Sequence, residues 1–251
     1  MGSPSAEDFA AAAHAAIDRV TKEQAGGVAR AAELITAALA ADGIVQAFGT
    51  GHSEALAMEI AGRAGGLVPS NRIALRDVVL YGGRPPESLK GPDLERGTES
   101  AALLYELAAP HPADVFVIAS NSGVNGCVVE LARLAKEHGH PLIAITSAEH
   151  TARVRPRHPS GQRLRDLADV VLDNAAPYGD AVLPIGGGAR ACGISSITAA
   201  LLAQQIVAEV IRRIEAAGAV PPVYLSANVP GGDEHNRALE TRYAGRIRRT
   251  A

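Results

Sequence analysis

The sequence predicts an α/β fold, in which a doubly wound, mostly parallel sheet is flanked by helices and preceded by an N-terminal helical segment. Three observations favour this class. Short apolar runs of strand length alternate with longer stretches of helical pattern. Two of the apolar runs end in Gly/Ser/Thr loops that lead directly into helices. Hydrophobic residues make up 47% of the 251 residues, enough for a large core, although only 3% are aromatic.

The first third of the chain supplies an alanine-rich segment and the first strand–helix unit. Residues 5–41 predict one or two helices, with a weak point at the Gly-Gly pair 26–27. An apolar strand is expected over residues 44–48. The helix that follows is expected over residues 54–64, where the next Gly-Gly pair provides a C-cap.

The middle of the chain contains an irregular stretch between two regular parts. A further strand is expected to begin near residue 66. Residues 69–97 accumulate Arg, Pro and Gly, and such long segments often form lids or flexible loops. Regular structure resumes with a helix over 99–109, a strand over 115–119 and a helix over 125–138.

The last third of the chain predicts two more strands and the longest helix. The strands are expected over 142–145 and 170–172, and the helix over 195–217. We therefore divide the chain into three parts. These are an N-terminal helical segment (1–41), a central α/β domain (42–220) and a C-terminal extension that contributes to the site (221–251).

Composition excludes several classes of function. A net charge of −3 disfavours nucleic-acid binding. No apolar run reaches the ~18 residues of a membrane span, and the N-terminal residues lack a charged-then-apolar signal pattern. Cys127 and Cys192 are isolated in the sequence and lack the spacing of metal-binding or redox-active cysteines, so we expect both to be reduced thiols. We expect a cytoplasmic protein with no membrane partner, no cofactor and no metal.

Two loops of small residues follow predicted strands. Residues 49–53 read Gly-Thr-Gly-His-Ser, and residues 120–123 read Ser-Asn-Ser-Gly. Backbone N–H groups at the start of a helix are unpaired and carry the positive end of its dipole, and serine hydroxyls add uncharged donors. Glu54 stands where the dinucleotide-binding pattern G-x-G-x-x-G has its third glycine, so that pattern is excluded. Neither loop contains the lysine of a nucleoside triphosphate-binding loop. The loops therefore suit a small sugar phosphate, unless their serines only cap ordinary turns.

With both loops in order, residues 30–216 resemble the sugar isomerase (SIS) domain. That family includes phosphoheptose isomerase, the isomerase half of glucosamine-6-phosphate synthase and N-acetylmuramic acid 6-phosphate etherase. Residues 157–161 and 226–236 further resemble a bacterial subfamily of single-domain SIS proteins. The resemblance implies a homodimer or a dimer of dimers, with active sites at the dimer interface. It also implies the following phosphate contacts: Gly51, Ser53, Ser120, Ser122 and Asn125.

The first predicted helix carries candidate catalytic residues. His52, Glu59 and Arg63 are spaced seven and four residues apart, which stacks them along one helical face. The resemblance places Arg63 at the position of the family's catalytic glutamate, so that base cannot be assigned directly in this chain. Glu59, one turn earlier, is our substitute base, with His52 near the mouth of the loop and Arg63 as a substrate contact. The alternative is a purely structural Glu59–Arg63 ion pair.

A second polar cluster lies near the C-terminus, where residues 233–236 read Asp-Glu-His-Asn after two glycines. The apolar residues 223–225 before it are expected to anchor the segment; the alternative is a solvated loop. SIS sites often take a histidine from the partner subunit, which makes His235 a second acid/base. Glu234 is its possible orienter, and Asn236 is a further substrate contact. His158 is a weaker candidate.

These residues support an enzyme that removes the C2 proton of a hexose or amino-sugar 6-phosphate. Elimination of the C3 substituent of an N-acetylamino-sugar 6-phosphate, such as N-acetylglucosamine 6-phosphate, is the leading hypothesis, because the glutamate pattern departs from the isomerase pattern. An aldose–ketose isomerase shares the first step and is the first alternative. A phosphosugar sensor without chemistry is the second, although no basic recognition helix precedes the first strand.

Overall fold

The computed structural model describes residues 4–248, so the outermost three residues of the predicted terminal segments lie outside it. The helices are α1 (Ala6–Glu23), α2 (Ala25–Ala40), α3 (Glu54–Ile60), α4 (Asp77–Leu80), α5 (Asp93–Arg96), α6 (Glu99–Ala108), α7 (Gly126–Glu137), α8 (Ala148–Arg153), α9 (Leu164–Leu167), α10 (Ser195–Ala216) and α11 (Gly232–Arg242). The strands are β1 (Val45–Gly49), β2 (Ser70–Ile73), β3 (Val115–Ala119), β4 (Leu142–Thr146), β5 (Val170–Asp173), β6 (Ala181–Pro184) and β7 (Arg190–Gly193).

Five parallel strands form the central sheet in the order β2-β1-β3-β4-β5, which confirms the predicted doubly wound α/β fold. The chain moves outward from β1 to β2 and then returns to place β3 on the other side of β1. In the register of β1 with β3, Gly49 lies opposite Ala119. Both strands are buried at every position, as the apolar runs predicted.

Apolar side chains pack on both faces of the sheet. On one face they join β1, β3 and β4 to the inner sides of α2, α3 and α10. On the other face Phe48, Phe116 and Ile118 pack with the buried sides of α6 and α7. The N-terminal segment is therefore part of the main core, because α1 and α2 lie against α10. Within residues 4–248, no helix is long and apolar enough to cross a membrane.

The C-terminal extension is tied to the amino-terminal end of the sheet. Tyr224 and Tyr243 are buried with Ile44 and Val68 in a small separate cluster. Beside it, the Asp114 carboxylate is buried and accepts four hydrogen bonds. Its donors are Ile44 N (2.8 Å), Gln46 Nε2 (2.8 Å), His111 N (3.0 Å) and Arg246 Nη2 (2.7 Å).

Two helix boundaries differ from the sequence prediction. The first helix after β1 ends at Ile60 rather than near residue 64, because Ala61 is extended and Gly62 has a φ of 83°. Arg63 therefore lies beyond the helix that carries Glu59. In the N-terminal segment the break falls at Gln24, and the glycine pair at 26–27 lies inside α2.

Three segments have more structure than predicted. Residues 69–97 contain β2, α4, α5 and the short 3₁₀ turn Pro86–Leu89, rather than one irregular lid. The polar cluster at 233–236 lies in helix α11 instead of a solvated loop. Residues 181–193 form an antiparallel hairpin, β6–β7, that the sequence analysis did not identify. The strand expected near residue 66 begins at Ser70, since Leu67 bridges Val223 instead.

The pH dependence of stability provides a test of the packing around His140. Its Nδ1 lies 3.0 Å from the Asp114 carbonyl oxygen and its Nε2 lies 2.8 Å from the Tyr105 hydroxyl, so these partners assign a neutral ring protonated at Nδ1. Burial lowers the pKa of His140. The unfolded chain therefore binds this proton first, and stability is lost as pH falls below about 6.5.

We expect the free energy of unfolding to fall between about pH 7.5 and pH 5.5, and to fall less steeply in His140→Gln. Urea unfolding at both pH values measures this difference. His14→Gln, on the outer surface of α1, is the control, because His14 is exposed. Equal pH slopes in native protein and His140→Gln would contradict the assignment.

Candidate functional site

The two hydroxyl loops meet where the strand order reverses. Because Gly49 lies opposite Ala119 in parallel strands, the loops that follow them start side by side at the carboxyl end of the sheet. In doubly wound sheets this switch point is where ligands bind. The structure thus brings together two loops that lie far apart in the sequence.

The first loop is a tight turn with little room for side chains. Gly51–Ser53 form a 3₁₀ turn, and Gly51 has a φ of 56°. A Cβ on Gly49 would lie 2.2 Å from the Ser53 carbonyl oxygen, so this position needs glycine. Ser53 precedes α3 without capping it through its side chain. Its hydroxyl is therefore available, and the ordinary N-cap alternative does not apply to it.

The second loop winds around the start of α7. The Ser120 hydroxyl is buried and accepts a hydrogen bond from Gly123 N at 3.1 Å, which leaves the hydroxyl proton available for donation. A Cβ on Gly126 would lie 2.3 Å from the Arg96 carbonyl oxygen, so the helix starts in close contact with α5. Ser122 is partly exposed, and its hydroxyl has no partner among the described residues.

Glu95 joins the two loops, and the sequence analysis missed it. Its Oε1 accepts hydrogen bonds from Thr50 Oγ1 at 2.8 Å and from Asn125 Nδ2 at 2.6 Å. The Asn125 amide is therefore already engaged, and a phosphate that used it would compete with this carboxylate. The only sequence signal was an acidic residue in a stretch rich in Pro and Gly, which does not indicate a contact with either loop.

A pocket of about 100 Å³ lies between α3, the ends of β3 and β4 and the start of α10. Three of the predicted site residues line it, namely His52, Ser53 and Glu59. Asn121 also lines it, and its side-chain oxygen Oδ1 accepts a hydrogen bond from Asn174 Nδ2 at 2.7 Å. The remaining lining residues are Ala55, Leu56, Ala119, Ile145, Asn174, Ser195, Ser196, Ala199 and Ala200.

Glu59 is held by two donors. Its Oε1 accepts hydrogen bonds from the Arg63 guanidinium and from Gln204 Nε2, the latter at 2.6 Å. The predicted Glu59–Arg63 pair therefore forms, although Arg63 lies outside the helix. Gln204 on α10 is a partner that the sequence analysis missed, because it lies far along the chain. The Glu59 side chain is 21% exposed, so it remains open to the pocket.

The C-terminal candidates do not join this pocket within one chain. His235 Nε2 contacts the Val223 carbonyl oxygen at 2.9 Å, and Glu234 lies exposed on the same helix. Asn236 is buried, and its side chain binds both N and O of Leu225. The Asn236 amide therefore secures the anchored segment at residues 223–225, and its contact with substrate stays a prediction.

His158 also has a structural position. It is buried, with Nε2 at 2.7 Å from Glu130 Oε2 and Nδ1 at 2.7 Å from Ser160 Oγ. These contacts fix the loop at residues 157–161. Among residues 4–248, no group of three His, Cys, Asp or Glu side chains is arranged to hold a metal ion.

Sequence comparison identifies related proteins along most of the chain. The family model described as "SIS domain" matches residues 8–147. The UPF0309 protein lmo0025 of Listeria monocytogenes is 40% identical over 231 residues, which cover 92% of this chain and 93% of that protein. A UPF0309 protein of Brucella anthropi is 40% identical over 220 residues, covering 87% and 88% of the two chains.

Solved structures share the fold at lower sequence identity. Phosphoheptose isomerase from Neisseria gonorrhoeae has a TM-score of 0.55 and 21% identity, covering 80% of this chain and 94% of that chain. The Vibrio vulnificus NanR protein complexed with ManNAc-6P has a TM-score of 0.52 and 16% identity, covering 94% of this chain and 67% of that chain. These similarities establish a common arrangement of strands and helices.

Proposed function

Because the chain belongs to the SIS domain family, as its two loops predicted, we propose that it is an enzyme that removes the C2 proton of a sugar 6-phosphate. One observation carries this proposal. Two hydroxyl loops meet at the switch point of the sheet, and a partly exposed carboxylate, Glu59, lines the adjoining pocket. Structural neighbours support the class of ligand, since NanR was solved with ManNAc-6P.

The phosphate is bound by uncharged donors in this proposal. Ser53 and Ser122 offer hydroxyls without described partners, Ser120 offers its free proton, and Gly51 allows the close turn. The first N–H groups of α7 add the positive end of a helix dipole. Asn125 contributes once its amide leaves Glu95. A dianion suits such a cradle because each hydroxyl donates to a charged oxygen.

The sugar lies in the pocket beside Glu59. In the open-chain form the C2 proton is acidic, because the C1 aldehyde accepts the electron pair released when the C2–H bond breaks. Glu59 takes the proton, and the electron pair moves onto the C1 oxygen as an enolate. Arg63 and Gln204 hold Oε1 of Glu59 in place, which orients the carboxylate. His52, on the pocket wall, is placed to carry a proton to an oxygen.

The enolate then has two fates. When C2 carries an acetamido group, the C1 carbonyl re-forms, the electron pair of the C1–C2 double bond moves between C2 and C3, and the C3 hydroxyl takes a proton and leaves as water. This lyase reaction is our leading proposal, with N-acetylglucosamine 6-phosphate as the representative substrate. When C2 carries a hydroxyl or a free amine, C1 and its oxygen each take a proton and the C2 hydroxyl or amine loses one, which gives the ketose-level product of an isomerase. We place the reaction in the cytoplasm, where sugar phosphates are formed and consumed.

A substrate panel in heavy water distinguishes these outcomes. The protein is incubated with N-acetylglucosamine 6-phosphate, glucosamine 6-phosphate and glucose 6-phosphate, and C2 is followed by NMR and mass spectrometry. Deuterium at C2 identifies the substrate. Loss of water identifies the lyase, and a ketose signal identifies the isomerase. Tight binding without exchange of any member would contradict an enzyme and support a sensor.

Ser122 is the position for a binding test. We expect Ser122→Ala to weaken sugar 6-phosphate binding by ~1.5–3 kcal/mol, or about one to two powers of ten, because one donor to a dianion is lost. Isothermal titration calorimetry measures this change. Ser88→Ala is the matched control, since Ser88 is half-buried like Ser122 and its hydroxyl donates to the Pro85 carbonyl. Unchanged affinity in Ser122→Ala would place the phosphate elsewhere.

His235 is proposed to act across a homodimer interface, because it lies away from the Glu59 pocket of its own chain. Glu59→Gln and His235→Ala should each be inactive alone. Mixed dimers of the two variants should regain part of the activity, because one of their two sites contains both native residues. Full turnover by a monomer, shown by sedimentation at assay concentration, would exclude this arrangement.

A further inference from the structure

A second and larger cavity shares the Ser122 loop with the sugar pocket. It has a volume of about 630 Å³, and Ser122 and Asn125 lie on its wall. Most of the opposite wall comes from the segment after α8. The cavity, which we call the arginine cleft, is lined by four arginines: Arg96, Arg153, Arg155 and Arg157.

The positive charge of the arginine cleft is largely uncompensated. Only Arg153 has a described carboxylate partner, Glu149, at 3.1 Å. Within residues 4–248, the guanidinium groups of Arg96, Arg155 and Arg157 make no described hydrogen bond or ion pair. The one carboxylate on the wall, Glu95, already accepts from the two loops. Like charges gathered in one cavity repel one another, and a bound anion relieves that repulsion.

The cleft is also held in shape by contacts from its own backbone. Arg157 N donates to the Val124 carbonyl at 3.2 Å, which joins the arginine segment to the second loop. The Arg163 guanidinium donates to the Thr151 and Val154 carbonyls at 3.2 and 3.1 Å. Next in the chain, buried His158 is bound on both sides of its ring. The arginines at 153, 155 and 157 therefore extend from a fixed backbone segment, so only their side chains have to be ordered on binding.

We propose that the arginine cleft binds a second phosphate group, so that the ligand is a sugar carrying two phosphates. The proposal rests on the proposed function, in which the hydroxyl loops hold the first phosphate. Those loops supply donors without charge, whereas the cleft beside them supplies guanidinium groups, which bind phosphate oxygens in pairs. Ser122 and Asn125 of the second loop line the cleft, and Asn121 of the same loop lines the sugar pocket, so the two phosphates lie on either side of this loop.

The exposed ring of Tyr178 positions one of the four arginines. It lies on the cleft wall, with the Arg153 guanidinium 5.5 Å from its centroid and the His150 ring packed at 5.2 Å. The ring fixes Arg153 over one side of the cavity. Arg155 and Arg157 remain free to bind the ligand.

The test compares ligands that differ by one phosphate. Calorimetry on the full chain measures inorganic phosphate against pyrophosphate, and glucose 6-phosphate against glucose 1,6-bisphosphate. We expect at least one of the two ligands with two phosphates to bind about tenfold tighter or more than its counterpart with one. A gain with pyrophosphate indicates linked phosphates, and a gain with the bisphosphate alone indicates phosphates at opposite ends of the sugar.

Variants of two cleft arginines test whether the gain in affinity from a second phosphate arises in the arginine cleft. In Arg155→Gln/Arg157→Gln the gain should disappear, while glucose 6-phosphate binds as before. The control Arg30→Gln/Arg237→Gln removes the same charge from exposed positions on α2 and α11 and should keep the gain. Equal affinities in the native protein, or equal losses in both double variants, would overturn the proposal.

Two further results separate this inference from its premise. Ser122→Ala should weaken glucose 6-phosphate and glucose 1,6-bisphosphate by the same factor. If it leaves both unchanged, the loop assignment fails, whereas an unchanged gain in Arg155→Gln/Arg157→Gln shows that the cleft assignment fails. A change in sedimentation of that double variant without a change in pyrophosphate binding would indicate a contact between chains and overturn the proposal.

Discussion

Replacing Glu59 with glutamine is expected to slow exchange of the substrate C2 proton by at least ~10²-fold, the low end for a positioned acid–base group. Glutamine keeps the size of the side chain and a carbonyl oxygen that Arg63 and Gln204 can still bind, but it cannot accept the proton. Binding of the sugar phosphate should therefore change little. Deuterium exchange at C2 and calorimetry on one preparation measure both quantities.

The alternative is that the Glu59–Arg63 pair only stabilises the fold. In that case Glu59→Gln would lower the thermal midpoint, and the remaining folded protein would keep its exchange rate. Glu106→Gln is the control, since Glu106 is exposed on α6 and has no described side-chain partner. Intact stability with unchanged exchange would contradict both roles and direct attention to His235.

Asp114→Asn is expected to cost about 3–5 kcal/mol of the free energy of unfolding, because it removes the charge from a buried ion pair. The carboxylate is 1% exposed and bonded to Arg246 Nη2 at 2.7 Å. An asparagine oxygen can replace one carboxylate oxygen, but its NH₂ group then faces two donors, Gln46 Nε2 and His111 N. Those donors are left without an acceptor in a buried site.

Urea unfolding with both circular dichroism and a probe of the C-terminal helix measures this effect. Asp18→Asn on the exposed face of α1 is the matched control and should change stability little. Arg246→Gln should also be destabilising, because it leaves the buried Asp114 carboxylate without its cation. A loss below about 1 kcal/mol in Asp114→Asn would show that solvent replaces the lost bonds.

Local pattern was enough to predict the sheet, its parallel strands and the two loops. The apolar runs before Gly49 and Ser120 are short and continuous, as fully buried strands are. The two loops were expected at one edge of the sheet because parallel strands have their carboxyl ends on the same edge. The early end of α3 had a local signal too, because Gly62 tolerates the left-handed conformation that stops a helix.

Contacts between distant parts of the chain could not be predicted in this way. Glu95 reaches Thr50 and Asn125, and Gln204 reaches Glu59, only once the fold is complete. Hydrophobic periodicity contains no information about such polar partners, since a charged residue on a surface helix gives the same pattern. The arginine cleft was missed for the same reason, because Arg96 and Arg157 meet only through tertiary packing.

The packing of α2 against α10 has a consequence for synthesis of the chain on the ribosome. Val28 and Ile35 on α2 belong to the same core cluster as the buried side of α10, and α2 packs against α10, which begins only at Ser195. At about 5–20 residues per second, this face waits on the order of 10 s for its cover. During translation the N-terminal helices therefore present an open apolar surface, and nascent chains stalled before α10 are the form of this protein most exposed to chaperones and to aggregation.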